Sequence, residues 1–295
     1  MSTFAALLVH PSAAQVAGTV AATLRTGVDR LDTFVAHSAA GSARMAARAV
    51  DAGAGTLITL GGDGLAHLAV QACAGTDTAL AVVPAGTGND LARSLGLPPD
   101  PMNAAQVVAA ELRAERSRSM DLGRIAGGDW FDTVLCAGFD AAVNARANRL
   151  RWPHGARRYD LAILIELIKL RPAPLVVETE SATLKLDATL VAAGNTQYYG
   201  GGIPVCPDAV DDDGKLEITI VSAMSRRELL RMLPTLRTGD HIKNPAVTTL
   251  SARKIRLSGE GGWFAYADGD WQARLPLTVT CVPGALRVIA PRRDQ

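Results

Sequence analysis

The chain has 295 residues, 48% hydrophobic and 20% charged, which suits two packed cores and excludes an extended disordered chain. Lys and Arg total 30 against 29 Asp and Glu, a formal net charge of +1, so no global field draws it onto nucleic acid or an anionic membrane; such a contact has to be a local patch. Four widely spaced cysteines in apolar surroundings, Cys73, Cys136, Cys206 and Cys281, make no metal knuckle or redox pair and predict reduced thiols in a cytoplasmic protein.

Phe4 to Val9 is apolar, has no basic residue before it and is too short to cross a bilayer; it reads as a first buried strand rather than a signal peptide. Ala13 to Leu24 is helix-like, Leu31 to Ala36 strand-like and Ser42 to Ala52 helix-like. Thr56 to Leu60 is a third strand that runs into Gly61-Gly62-Asp63-Gly64, with a helix over Leu65 to Ala74. Ala79 to Val83 is a fourth strand, ending at Pro84-Ala85-Gly86-Thr87-Gly88-Asn89-Asp90, and a helix follows through Arg93. This alternation predicts an α/β domain, a doubly wound parallel sheet with helices on both faces.

After about Met120 the texture changes. Strand-like runs at Trp130 to Cys136, Leu175 to Glu180, Thr183 to Val191, Leu216 to Val221, Lys254 to Leu257 and Leu275 to Val282 predict a mostly β, antiparallel second domain. Helical patterns interrupt it at Tyr159 to Leu170 and Ser225 to Leu236. The division falls at residues 1–122 and 123–295, with the last strand left open to returning to the first domain. The longest later apolar segment, Leu161 to Leu170, is broken by Glu166 and Lys169, so no transmembrane helix is predicted.

Both glycine-rich segments follow strands, at the sheet edge where such folds bind ligands. Glycines let a backbone approach a ligand closely, and successive N–H groups at a helix start attract phosphate oxygens. Asp63 among them is out of place at an anion site unless a cation such as Mg²⁺ accompanies the phosphates. The bland reading is a tight strand-to-helix turn with a capping Asp. Gly86-Thr87-Gly88-Asn89-Asp90 repeats the recipe one βα unit later, which favours a shared polar crevice over two unrelated turns. Neither segment is a Walker loop or a G-x-G-x-x-G fingerprint. Tyr198-Tyr199-Gly200-Gly201-Gly202 reads as a sharp bend or a closely approached backbone, and the acidic run before Gly214 as a hard-cation site or a solvated turn. Tyr266-Ala267-Asp268-Gly269-Asp270-Trp271 reads as a turn between strands that also suits a placed base.

Taken in order, GGDGL at 61–65, PAGTGNDLAR at 84–93, YGGGIPVCPDAVDDDGKL at 199–216 and DGD at 268–270 resemble the diacylglycerol-kinase catalytic-domain family, which includes bacterial soluble lipid kinases and sphingosine kinases. The resemblance covers nearly the whole chain. It implies a nucleotide-binding first domain, a β-sandwich-like lipid-acceptor second domain and an active site between them. It implies an ATP-dependent, Mg²⁺-dependent lipid kinase. ATP phosphates are expected near Gly61, Gly62, Asp63, Gly64, Leu65, Ala66 and His67, with Gly86, Thr87, Asn89 and Asp90 also on the nucleotide. His10, Pro11 and Ser12 stand where the family has an Asn-Pro nucleotide-binding turn, and His37 or Ser38 where it has a nucleotide-contacting Thr. Asp63, Asp90 and Asp121 match acidic positions around catalytic Mg²⁺ and its waters. A second, structural Mg²⁺ is expected on the Asp213 side chain with the backbone carbonyls of Val210 and Lys215. Asp270 takes the place of the general base, usually Glu.

The chain departs from the family at His10, at Leu65 in place of the usual Thr, and at His67-Leu68 in place of Asn-Glu. The last two are similar to the sphingosine-kinase version, which leaves the acceptor open between diacylglycerol and another lipid alcohol. Arg149, Arg151, Trp152, Arg157, Arg158 and Tyr159 beside an apolar helix suit either a transient contact with anionic headgroups, at the membrane periphery, or a core helix with a solvated basic start. A homodimer is compatible with the sequence, and nucleic acid is not an expected partner. Two competing readings are an NAD kinase-like small-molecule kinase and a non-catalytic nucleotide-binding regulator; an Asp at position 270 keeps catalysis in play against the latter.

Overall fold

The structure is a computed structural model that describes residues 4–139, 141–143, 146, 172–260 and 262–291. The helical pattern at Tyr159 to Leu170 and the basic cluster from Arg149 to Tyr159 lie outside the described residues. The chain forms two compact units, Met1–Leu122 with Pro283–Gln295, and Gly123–Val282.

In the first unit, β1 (Phe4–Val9), β2 (Arg30–Val35), β3 (Thr56–Gly61) and β4 (Ala79–Pro84) alternate with α1 (Ala14–Leu24), α2 (Ala39–Asp51) and α3 (Asp63–Cys73). All pair in parallel: β1 lies between β2 and β3, and β4 lies beyond β3. On the far side of β4, Arg287 and Val288 of the last strand pair in parallel with Ala79 and Leu80. β3 and β4 are buried at every residue, as strands covered on both faces must be, which is why they read as unbroken apolar runs. β2, at the sheet edge, is mostly exposed. Two helices follow the fourth strand, α4 (Asp90–Ser94) and α5 (Pro101–Arg113). The sequence pattern does not mark α5, yet its start is well signalled: Pro101 takes the first turn, and the Asp100 carboxylate accepts from Met102 N at 3.0 Å and Asn103 N at 2.9 Å.

The second unit is mainly antiparallel. β5 (Arg118–Ile125) leads into it, followed by β6 (Trp130–Phe131), β7 (Val134–Gly138), β8 (Ala173–Glu178), β9 (Thr183–Gly194), β10 (Tyr198–Tyr199) and β11 (Ile203–Pro204). Then come β12 (Leu216–Ser222), α6 (Arg226–Leu236), β13 (Val247–Ala252), β14 (Lys254–Gly259), β15 (Phe264–Ala267), β16 (Asp270–Arg274) and β17 (Leu277–Val288). β9 is central: its first half pairs with β8, and its second half pairs with both β7 and β12. Its main core includes Phe131, Leu135, Val191, Ile218, Ile255 and Val279, and smaller clusters lie beside it, one of them Leu190, Val221, Leu229 and Met232 under α6. The run Trp130 to Cys136 divides into two strands because Asp132 and Thr133 form a turn, and the run Leu275 to Val282 proves longer, as β17. α6 carries a capping box: Ser225 Oγ accepts from Glu228 N, and the Glu228 carboxylate accepts from Ser225 N.

Candidate active site

In the first unit, the chain leaves β1 for β2 on one side and returns through β3 on the other, so the topological switch point lies between β1 and β3. The turns leaving β1, β3 and β4 are tied in sequence, the first bond crossing that point and the second lying beside it. His10 N donates to Leu60 O at 2.9 Å, and Ala85 N donates to Gly61 O at 2.7 Å. His10 begins a short 3-10 turn over Pro11–Ala13, with its Nδ1 accepting from Ser12 N. A Cβ on Gly61 would lie 3.1 Å from the His10 Cβ, so the two turns pack closely at that glycine.

The two glycine-rich loops meet backbone to backbone. A Cβ on Gly86 would stand 2.4 Å from the Gly62 Cα, and one on Gly88 2.5 Å from Asp63 Oδ2 and 3.6 Å from Asp90 Oδ2. Asp63 is the joint: Oδ2 accepts from Asn89 N at 2.7 Å and Oδ1 from Asp90 N at 2.6 Å. It therefore neutralises orphan amides at the start of α4 rather than capping its own helix. Asn89 completes the knot in the left-handed conformation, its side chain accepting from Gly86 N and donating to Gly86 O. Asp63 and Asp90 thus approach Gly88 together, Asp90 being 6% exposed.

Gly64, in the first turn of α3, is exposed, and a Cβ there would meet nothing within 4 Å. Thr87 is exposed, while the side chains of Leu65, Ala66 and His67 are buried. Ser38 caps α2, its Oγ accepting from Gly41 N at 3.1 Å. Asp121 is buried in β5, where Oδ1 accepts from Gly284 N at 2.8 Å.

In the second unit, Asp268 and Gly269 form the β15–β16 turn, both with positive φ, the signature of a tight two-residue hairpin. The Asp268 carboxylate accepts from Asp132 N and Thr133 N, both at 3.0 Å, and from the Thr133 hydroxyl. That anchors the turn from which Asp270 projects, exposed, at the start of β16. The sequence presents Asp268 as one more turn residue; its partners are some 135 positions away. Gly200, Gly201 and Gly202 all have positive φ and close the β10–β11 hairpin. In the acidic run, Asp213 Oδ1 accepts from Lys215 N at 2.9 Å, and Val210 and Asp213 are exposed. Oxygen donors on such an open turn fit a hard cation. Glu217, two residues on, is pushed up to about 7 by burial and by the charges of Asp208 and Asp213.

Sequence reasoning does not find the apolar cavity of about 460 Å³ in this unit. Thr189, Leu190 and Val221 of the sheet, Tyr199 and Ile203 of the hairpin, and Leu229 and Met232 of α6 contribute its walls. These segments share no local motif, so no window of sequence signals it.

Residues 5–125 match the family model for the diacylglycerol kinase catalytic domain, and residues 133–290 match that for the YegS C-terminal NAD kinase beta sandwich-like domain. The chain is 41% identical over 289 residues to a diacylglycerol kinase of Mycobacterium tuberculosis, covering 96% of this chain and 92% of that protein. It is 28% identical over 283 residues to a Xanthomonas oryzae protein named "Probable lipid kinase YegS-like", covering 91% and 89%. A crystal structure of a diacylglycerol kinase from Bacillus anthracis has the same fold, with a TM-score of 0.76 at 19% identity over 98% of this chain and 97% of that one.

Proposed function

The chain belongs to the diacylglycerol kinase family of lipid kinases, and from that membership we propose that it transfers the γ-phosphoryl group of ATP to the hydroxyl of diacylglycerol or a similar lipid alcohol. The observation that carries the nucleotide half is the joining of two glycine loops, after β3 and β4, beside the switch point, with Gly64 open to approach. The apolar cavity supports the lipid half: its volume lies within the range of small-ligand pockets, and its walls suit acyl chains.

Phosphoryl transfer asks a protein for alignment and charge neutralisation more than for covalent chemistry. Amides at the start of α3 and the Thr87 hydroxyl hold the phosphates, while His10-Pro11-Ser12 and Ser38 border the rest of the nucleotide. Leu65, Ala66 and His67 act from beneath, their buried side chains seating that first turn. Bound Mg²⁺ supplies neutralisation of the transferring phosphoryl charge. Asp90, Asp121 and Asp63 are the carboxylates that would hold it or its waters, the Asp63 and Asp90 oxygens already lying together beside Gly88. Asp213 with the Val210 and Lys215 carbonyls would hold a structural ion. Asp270 accepts the acceptor hydroxyl proton, a step worth ~10²–10⁴-fold.

A radiolabelled-ATP transfer assay against diacylglycerol, monoacylglycerol, ceramide and sphingosine in mixed micelles tests the reading. Labelled phosphatidic acid is the expected product. Labelling of NAD with no lipid labelled would reverse it. Asp270→Asn should remove most of kcat and leave nucleotide affinity nearly intact; wild-type turnover in that variant would withdraw the base assignment.

A further inference from the structure

The cavity opens along one face of α6. Leu230, Pro234 and Arg237 line it and are also exposed, which places them at its rim; Leu229 and Met232 face inward. Leu230 remains 49% exposed, a large apolar side chain open to solvent. Arg226 and Arg227, one turn before Leu230, lie on its side of the helix, and Arg231 stands about 100° around from it; all three are exposed. The helix has one acid, Glu228, and its carboxylate is engaged in the capping box. Among the described residues, none of the four arginines from Arg226 to Arg237 forms a close salt bridge, and Arg231 alone feels an acid of its own helix, Glu228.

The position of these charges is informative. Arg226 and Arg227 occupy the first turn of α6, where the helix dipole disfavours cations. The dipole thus gives these two charges no favourable partner within the helix, and both side chains extend into solvent. Basic residues flanking exposed apolar ones on an amphipathic helix fit the interface of an anionic bilayer. No helix among the described residues is long and apolar enough to cross a membrane, and what α6 offers a bilayer is its exposed face.

We propose that the exposed face of α6 docks on anionic lipid bilayers and presents the cavity mouth to the membrane, so that a lipid alcohol passes from bilayer to cavity without crossing water. Delivery of the acceptor rests on reading the cavity as its site; docking does not.

The test uses the full chain, wild type and Arg226→Gln/Arg227→Gln/Arg231→Gln. None of these three lines the cavity; removing two cations from the first turn offsets the loss of the Arg231–Glu228 attraction, so thermal stability should stay close to that of wild type. Both proteins are sedimented with vesicles of phosphatidylcholine, alone or mixed equally with phosphatidylglycerol. Wild type should bind the mixed vesicles, less so as salt rises, and the variant on the order of 100-fold more weakly, since each basic residue contributes roughly fivefold. Equal binding of the two proteins overturns the proposal. So does failure of wild type to bind mixed vesicles, which would turn attention to an acidic protein partner. In parallel, both are assayed on a short-chain diacylglycerol in free solution, where the variant should turn over like wild type. Failure of wild type there, together with no labelling of any of the four lipids in mixed micelles, refutes the lipid-kinase reading and leaves the docking result standing by itself.

Discussion

Asp63 sits among glycines at a point where phosphate is expected, and its bonds to Asn89 N and Asp90 N explain the anomaly. The carboxylate welds one loop to the next. Asn at this position has a single acceptor oxygen and turns an NH₂ toward the other amide donor. Asp63→Asn should therefore lower stability by ~1–3 kcal/mol, measured by chemical denaturation, as well as reducing turnover. The same logic applies to Asp268, which accepts three hydrogen bonds from Asp132 and Thr133. Asp268→Ala should cost about 1–3 kcal/mol and lower kcat by releasing the turn that carries Asp270, with the KM for ATP unchanged. An unaltered kcat would separate the anchor from the chemistry.

At the scale of elements, the glycine loops make a contrast that a pair of variants can read. Gly86 faces the Gly62 Cα with no room for a methyl, whereas Gly64 faces open space. Gly86→Ala should force the β3 and β4 loops apart, costing ~1–3 kcal/mol in denaturation and raising the KM for ATP. Gly64→Ala should fold as well as wild type and still raise the KM for ATP, because the methyl occupies the approach of the phosphates. Equal KM values for Gly64→Ala and wild type would move the phosphates away from the first turn of α3.

At the scale of the whole molecule, a buried histidine and a half-buried glutamate of the second unit oppose each other in pH dependence. Burial lowers the His241 imidazole from its ordinary value, against the pull of the Val205 and Thr235 carbonyls and the Asp240 carboxylate. The unfolded chain then takes up that proton first, so His241 contributes stability above about pH 6.5 that is lost as pH falls. Glu217 is raised from 4.5 to about 7, so the folded state keeps its proton longer, and stability declines as pH rises between those values. In chelator, Glu217→Gln should melt higher than wild type at about pH 8, the difference vanishing by about pH 4.5. His241→Gln should melt lower than wild type at about pH 7.5, with the gap narrowing toward about pH 5.5.

The sequence by itself determined what depends on near neighbours. Buried parallel strands show as apolar runs at β1, β3 and β4, the pattern from Ser225 to Leu236 shows as a helix, and glycines mark where chain must turn or be approached. Propensity, periodicity and capping act over a few residues, so a linear reading captures them. Tertiary structure alone decided which partners those residues meet. The order β2-β1-β3-β4, the division of Trp130 to Cys136 at a turn held by Asp268, the hand-off of Asp63 to α4 and the cavity beneath α6 all join segments distant along the chain. Such contacts form only when burial of a common core brings the segments together, and no local window carries that free energy.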